Sequence, residues 1–560
     1  MDAPSRFHEP REALASIRDG ATVAVSGFNM AATPEHLILE LYELYRNEGH
    51  PRDLFLMGST LPALPGRALD AVGEKLWAEE AQTFLRGVMM PYLGFAPWMQ
   101  RLVEGDRLEA YSWPIGVAEH WFRAMASGRP GAITKVGIDT TLDPRNEGGS
   151  LNAKGAGRMT CRVDLIEIQG EEHLLYRAPK PDCALVRAST SDEDGNLSME
   201  DEGITGTVFN IAQATKARPN PGVVIAQVRW LARSGTIHPR RVEVPSPLVD
   251  FVVLAPREHH WQTGASEYDP RLSYRVMPPV ESGSLKDLLA APRRQYEKVV
   301  ARRVLLEMIG LLRETGGRPV LVNVGVGVPA LVSEVAEEEG ISEFVVTLLE
   351  SGAWGGLALP GQNFGLAISP FALSSIPDTF SNFEGGVIDA ASLGFLQIDS
   401  KGNVNPSMLP GRVYGPGGFP EIAGGAPSVC FAGSFTAGHS DIRVEGGGLR
   451  MVEDGKTVKF VEDVYRSLFS GREAMKRGQE VTYVTERAVF GLAEGGIVLR
   501  EVAPGVDVER DVFGRMEFRP GVAPELKEMD GALFRKERVG MRGMIPWTRR
   551  GAGAAGTRPV

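Results

Sequence analysis

The chain has 560 residues, of which 43% are hydrophobic and 23% charged, enough to bury a substantial core in two or more domains. A formal net charge of −11 and a pI near 5.5 argue against nucleic acid or an anionic membrane as partner. Three scattered cysteines, Cys161, Cys183 and Cys430, supply neither a disulfide framework nor a zinc site, and no apolar run reaches the length of a membrane span, so the chain reads as cytoplasmic.

In chain order, residues 22–26 are strand-like, 27–33 form a loop, and Pro34 opens a helix through residue 44, since proline is pre-set for a first helical turn. Asp192-Glu193-Asp194-Gly195-Asn196 reads as a tight turn. Between 278 and 295, Pro278-Pro279, Ser282-Gly283-Ser284 and Pro292-Arg293-Arg294 break the apolar pattern, and a helix is expected over 296–313. Residues 320–324 then repeat the opening pattern: strand, the loop Gly325-Val326-Gly327-Val328, and a helix from Pro329 to 338 that buries Leu331, Val332 and Val335. Asp399-Ser400-Lys401-Gly402-Asn403 repeats the Asp-x-x-Gly-Asn turn in the same relative order. The expected fold is α/β: two homologous open α/β domains, 1–285 and 295–540, with mainly parallel sheets covered by helices. Residues 541–560 are expected to be a disordered tail.

A strand over 344–349 delivers Glu350 into Glu350-Ser351-Gly352-Ala353-Trp354-Gly355-Gly356. An acid ending a strand is most often a cap or a solvated charge. Here Gly352, Gly355 and Gly356 open the backbone to a large substrate and expose N–H groups for an oxyanion, which a cap does not require. A second cluster, Tyr414-Gly415-Pro416-Gly417-Gly418-Phe419, can supply further donors. One competing reading takes Gly325 to Ala330 as the dinucleotide pattern G-x-G-x-x-A with Glu350 as its ribose acid. Pro329 counts against it, because it removes a backbone donor where a pyrophosphate would sit. His439, near Ser434 and Ser440, has no nucleophile elbow around it, and neither a metal-ligand pair nor a P-loop occurs.

With these motifs in order, the sequence resembles the family I coenzyme A transferases, most closely the fused single-chain acetate or propionate type. The resemblance runs through Gly27-Phe28 and Pro34-Glu35, Asp143-Pro144-Arg145, residues 187–196, 323–329 and 350–356, Gly415 to Phe419, and residues 483–490. It implies that Glu350, in E-x-G-x-x-G-G, forms a glutamyl-CoA thioester at the interface of the two domains. It further implies acyl-CoA and a small carboxylate as partners, coenzyme A as substrate and covalent intermediate with no permanently bound cofactor or metal, and a homo-oligomer, dimer or tetramer. Backbone N–H groups near Val326 and at Gly417 or Gly418 are the candidate oxyanion donors, and Gly325, Gly327, Gly352, Gly355 and Gly356 the substrate loops. Departures from the family pattern at Met30, Ala32, Trp354 and the 187–192 stretch put the short-chain substrate in doubt. Met30 and Trp354 are read either as shaping the acyl pocket or as ordinary packing. An acyl-CoA thioesterase using Glu350 to activate water and a catalytically silent acyl-CoA-binding paralogue remain alternatives.

Overall fold

The computed structural model describes residues 6–80, 83–274 and 295–545. Residues 278–294 of the expected boundary and 546–560 of the expected tail lie outside the described residues. The tail as expected begins too early: Met541 and Ile545 are buried, and the N–H groups of Val539, Gly540 and Met541 donate to the Glu339 carboxylate.

The N-terminal half is built on seven strands: β1 (Thr22–Val25), β2 (Leu54–Met57), β3 (Leu85–Met89), β4 (Glu109–Tyr111), β5 (Cys183–Arg187), β6 (Val223–Val228) and β7 (Phe251–Leu254). They pair in the order β7-β6-β5-β1-β2-β3-β4, parallel throughout. Largely apolar runs such as Thr22–Val25 and Cys183–Arg187 are buried at every residue, as a parallel sheet covered on both faces requires. Among the covering helices are α1 (Glu35–Glu48), which follows Pro34, and α2 (Ile115–Ala126).

The C-terminal half opens with α3 (Gln295–Glu314) and is built on β8 (Val320–Val324), β9 (Val345–Thr347), β10 (Ala390–Leu393), β11 (Ser428–Ala432), β12 (Glu480–Val484), β13 (Ala488–Ala493), β14 (Gly496–Val502) and β15 (Gly521–Glu528). The order is β9-β8-β10-β11-β12-β13-β14-β15. The pairs from β9 to β12 are parallel, β12-β13 and β13-β14 are antiparallel, and β14-β15 is parallel again. This is an α/β protein with two large, mainly parallel sheets covered by helices. The strand expected over 344–349 is shorter than expected, ending at Thr347.

The two Asp-x-x-Gly-Asn turns are superposable in chemistry. In each, the aspartate accepts from the N–H two and four residues on and from the asparagine amide, at 2.9 Å in both cases for the last of these (Asn196 to Asp192, Asn403 to Asp399). The glycines take φ of +90° (Gly195) and +81° (Gly402), a region closed to most side chains.

Both sheets start in their interior and grow outward in two directions, which creates a switch point where loops on adjacent strands diverge and leave a crevice. In the first sheet this is at β1, flanked by β2 and β5; in the second it is at β8, flanked by β9 and β10. The halves pack with the loops of these two switch points facing one another. Phe28, Ala32, Ile115 and Ile204 share one buried cluster with Leu348, Ile376, Phe380 and Leu393. Backbone bonds cross as well: Leu93 N–H to the Tyr414 carbonyl at 2.6 Å, and Ile115 N–H to the Gly417 carbonyl at 2.9 Å.

Candidate active site

A cavity of about 440 Å³ lies between the facing switch points. The N-terminal half contributes Phe28 and Asn29 from the loop after β1, Thr60 and Leu61 after β2, and Tyr92, Phe95 and Ile115. The C-terminal half contributes Gly325 to Pro329 after β8, Glu350 after β9, Leu393 to Leu396 from the end of β10, Ala432 to Ser434 from the end of β11, and the Tyr414 to Phe419 region. The Glu350, Gly325 and Gly417 segments all line this cavity.

Glu350 occupies the tip of a tight turn. Gly352 N–H donates to the Leu349 carbonyl at 2.9 Å, and Asn323 on β8 ties the base by donating to the Leu348 carbonyl at 2.9 Å. No hydrogen-bond donor among the described residues meets the Glu350 carboxylate, and burial alone pushes its pKa up to about 7. The group is held where water is scarce, unneutralised, with one face against Gly418: a Cβ built at Gly418 would lie 2.9 Å from Glu350 Oε2. Desolvation of this kind raises the energy of the ionised nucleophile.

The glycines sort by geometry. Gly352 (φ +103°), Gly355 (+64°) and Gly356 (+73°) do not line the cavity. A Cβ at Gly352 would strike the Ser374 carbonyl at 1.9 Å and one at Gly356 the Ile368 carbonyl at 2.3 Å, so these glycines let neighbouring backbone, and not a substrate, approach closely. Gly325, Val326 and Gly327 do line it. Among the described residues, the N–H groups of Val326 and Gly418 have no acceptor, whereas Gly417 N–H is committed to the Pro91 carbonyl at 2.9 Å. Gly417 is therefore removed from the candidate oxyanion donors.

Met30 and Trp354 lie away from the cavity as well. Met30 is 1% exposed and packs in the N-terminal core. Its carbonyl, with those of Thr33 and Trp261, faces Arg187, whose Nε is paired with Glu202 at 2.8 Å. Trp354 is half-buried, with Nε1 donating to Ser374 Oγ at 3.0 Å. Both residues pack against core side chains, and neither is on the cavity lining.

Tyr92, Phe95, Phe364 and Lys459, missed in the sequence, are residues whose neighbours distance along the chain conceals. Tyr92, Phe95 and Tyr414 form a ring cluster (Tyr92 to Phe95 5.6 Å, Tyr92 to Tyr414 6.2 Å), and Phe28 lies 6.4 Å from Phe364. Burial, helped by the charges of Tyr414 and Glu350, pushes the Tyr92 phenol up to about 12. Lys459, also on the lining, follows a strand that carries no motif. The cysteines are buried and free, and their thiols are pushed up by burial. Among the described residues no cluster of potential metal ligands occurs, and no helix is long and apolar enough to cross a membrane.

The fold and site define an α/β enzyme of two large sheets, with a desolvated carboxylate and free backbone donors in the cleft between them. Residues 7–255 match the family described as coenzyme A transferase. The chain is 35% identical to the caffeate CoA-transferase of Acetobacterium woodii, covering 96% of this chain and 99% of that one. It is 34% identical to the acetate CoA-transferase YdiF of Escherichia coli, covering 94% of each. The crystal structure of the acyl-CoA transferase YdiF apoenzyme from Escherichia coli superposes with a TM-score of 0.86 at 31% identity, over 96% of this chain and 98% of that one. The YdiF thioester complex with CoA superposes at 0.85 and 32% identity, over 96% and 97%. The chain belongs to the coenzyme A transferase family. It is an enzyme that transfers coenzyme A between an acyl-CoA and a carboxylate.

Proposed function

We propose that this enzyme works by a ping-pong cycle through a glutamyl-CoA thioester on Glu350. The observation that carries this reading is the desolvated Glu350 carboxylate, without a hydrogen-bond donor among the described residues and pressed against Gly418 on the lining of an apolar cavity that both halves enclose. A Glu350 oxygen attacks the acyl-CoA carbonyl, the carbon–sulfur bond breaks, and an acyl-glutamyl anhydride and CoA thiolate form. The thiolate attacks the glutamyl carbonyl and expels the first acid, leaving the enzyme thioester. The acceptor carboxylate attacks that thioester, releasing thiolate and forming a second anhydride. The thiolate then attacks the acceptor's acyl carbon, which yields the new acyl-CoA and restores Glu350. One thioester replaces another, so no nucleotide hydrolysis is required. Each attack places negative charge on a carbonyl oxygen, and the Val326 and Gly418 N–H groups are the donors available to receive it, each worth about 3 kcal/mol of barrier.

The rings of Phe28, Tyr92, Phe95, Phe364 and Tyr414 favour an acid with a planar apolar body, as in the name of the caffeate enzyme, over acetate. The YdiF thioester complex supports the covalent step by similarity. A homo-oligomer, dimer or tetramer, remains part of the proposal.

Incubation with an acyl-CoA and no acceptor tests the cycle. A CoA adduct is expected by intact mass, mapping to Glu350; steady hydrolysis without adduct, independent of added acid, would instead mark a thioesterase. A panel of aryl and short-chain acids as acceptors reads the substrate class.

A further inference from the structure

Among the described residues, Lys459 is the one charged side chain on the cavity lining apart from Glu350. It is 6% exposed. Its Nζ donates to the Ser434 carbonyl at 3.0 Å and lies 3.8 Å from the centre of the Phe395 ring. An ammonium carries three donors, and a ring face attracts the charge without serving as a full acceptor. The neighbouring buried acid, Glu486, is engaged elsewhere, with Arg487 Nε at 2.8 Å and with Phe435 N–H at 2.9 Å. Among the described residues Lys459 forms no ion pair, and burial lowers its pKa to about 8. A buried cation with spare donors on a cavity wall is costly unless something in the cavity meets them.

Its place beside the end of β11 bears on what that something is. Nζ lies over Gly433, where a built Cβ would be 3.3 Å from it, and Gly433 directly follows β11. Glu350 follows β9. The order β9-β8-β10-β11 puts three strand intervals between them, about 14 Å at ~4.8 Å each. The track between is formed by the loops after β8 and β10, including Gly325, Val326 and Gly394.

We propose that Lys459 anchors the pantetheine arm of coenzyme A by donating a hydrogen bond to the carbonyl of its outer amide. This rests on Glu350 holding the sulfur end. From that sulfur the outer amide carbonyl is eight bonds away, about 10 Å at ~1.2 Å per bond, and the thioester linkage adds the remaining few ångströms. The inner amide, four bonds out at about 5 Å, falls short and meets the loops after β8 and β10. The pyrophosphate lies further along and is too strongly hydrated for so buried a cation. Binding the arm here fixes the thioester against Glu350, so that remote contacts serve alignment at the reacting carbon.

The test compares three donors with one acyl group: the CoA ester, the pantetheine ester, and the N-acetylcysteamine ester, which keeps only the inner amide. Lys459→Met is expected to lower kcat/KM for the first two by roughly ten- to a hundredfold, the loss of one charged hydrogen bond, and to change the third by less than about twofold. Lys459→Gln, which keeps a donor and guards against misfolding in the methionine variant, is expected to fall between. Equal losses on all three donors would overturn the assignment, as would a loss that follows acceptor acids bearing a second carboxylate. A wild-type enzyme without a Glu350 adduct would count against the proposed cycle, while the donor series still reads Lys459.

Discussion

Gly418 and Glu350 are in contact through a space that only hydrogen can fill. A Cβ at Gly418 would lie 2.9 Å from Glu350 Oε2 and 2.7 Å from Phe380 Cζ, yet its φ of −90° suits any residue. Gly417 is the reverse case, with φ +57° and only Tyr92 Cδ2, at 3.9 Å, near its missing side chain. Gly418→Ala is therefore expected to fold and to lose about a hundredfold in kcat, since displacement of a reacting group by ~1 Å costs that much. Gly417→Ala is expected to lose about 1–2 kcal/mol of stability, the cost of a left-handed conformation, while keeping most activity. Thermal unfolding beside single-turnover acyl transfer separates the two.

Glu350 sets a pH dependence of definite sign. Its pKa is raised from 4.5 to about 7, so the folded protein holds the proton more tightly than the unfolded chain does. Stability from this group is greatest below 4.5 and is lost as the pH rises through about 7. Glu350→Gln escapes that loss. Its melting temperature is expected to match the wild type in acid and to exceed it increasingly up to neutrality, after which the gap levels off. Transfer should be abolished in the variant, and wild-type kcat/KM should fall about tenfold per unit as the pH drops below 7. Melting curves over a pH series, paired with initial rates, check both.

Much of this site could be read before the fold. A strand ending in an acid, two glycine loops and a repeated turn are local patterns, and each lies where the repeat puts it. The purpose of individual glycines was not legible: Gly352 and Gly356 answer to the Ser374 and Ile368 carbonyls, partners that only the folded loop brings near. Gly417 offers an N–H in sequence, but Pro91, from the other half, accepts it. Tyr92, Phe364 and Lys459 belong to no motif and meet only because two separate switch points face each other.

Trp354 separates motif from pocket. Its indole N–H bonds Ser374 Oγ at 3.0 Å and its ring packs on the core, outside the cavity lining. Trp354→Phe is expected to cost about 1 kcal/mol through the lost hydrogen bond and to leave the ranking of acceptor acids unchanged. A reordered acid panel would return Trp354 to the acyl pocket.

Arg187 holds the loop after β1 from beneath. It is 1% exposed, pairs with Glu202 at 2.8 Å, and donates to the Trp261 carbonyl at 2.8 Å, with the Met30 carbonyl at 3.5 Å. Arg187→Met would leave Glu202 buried beside only His260, whose Nε2 is 3.5 Å away. One imidazole nitrogen at 3.5 Å does not replace two guanidinium hydrogen bonds, so a loss of about 3–5 kcal/mol is expected. Changing both residues, Arg187→Met with Glu202→Met, removes the stranded charge and should recover most of that loss, because what is costly is the unpaired carboxylate and not the absence of the pair. Phe28 and Asn29, which line the cavity from this loop, should then regain their places with the double change, so that activity and the unfolding midpoint recover together.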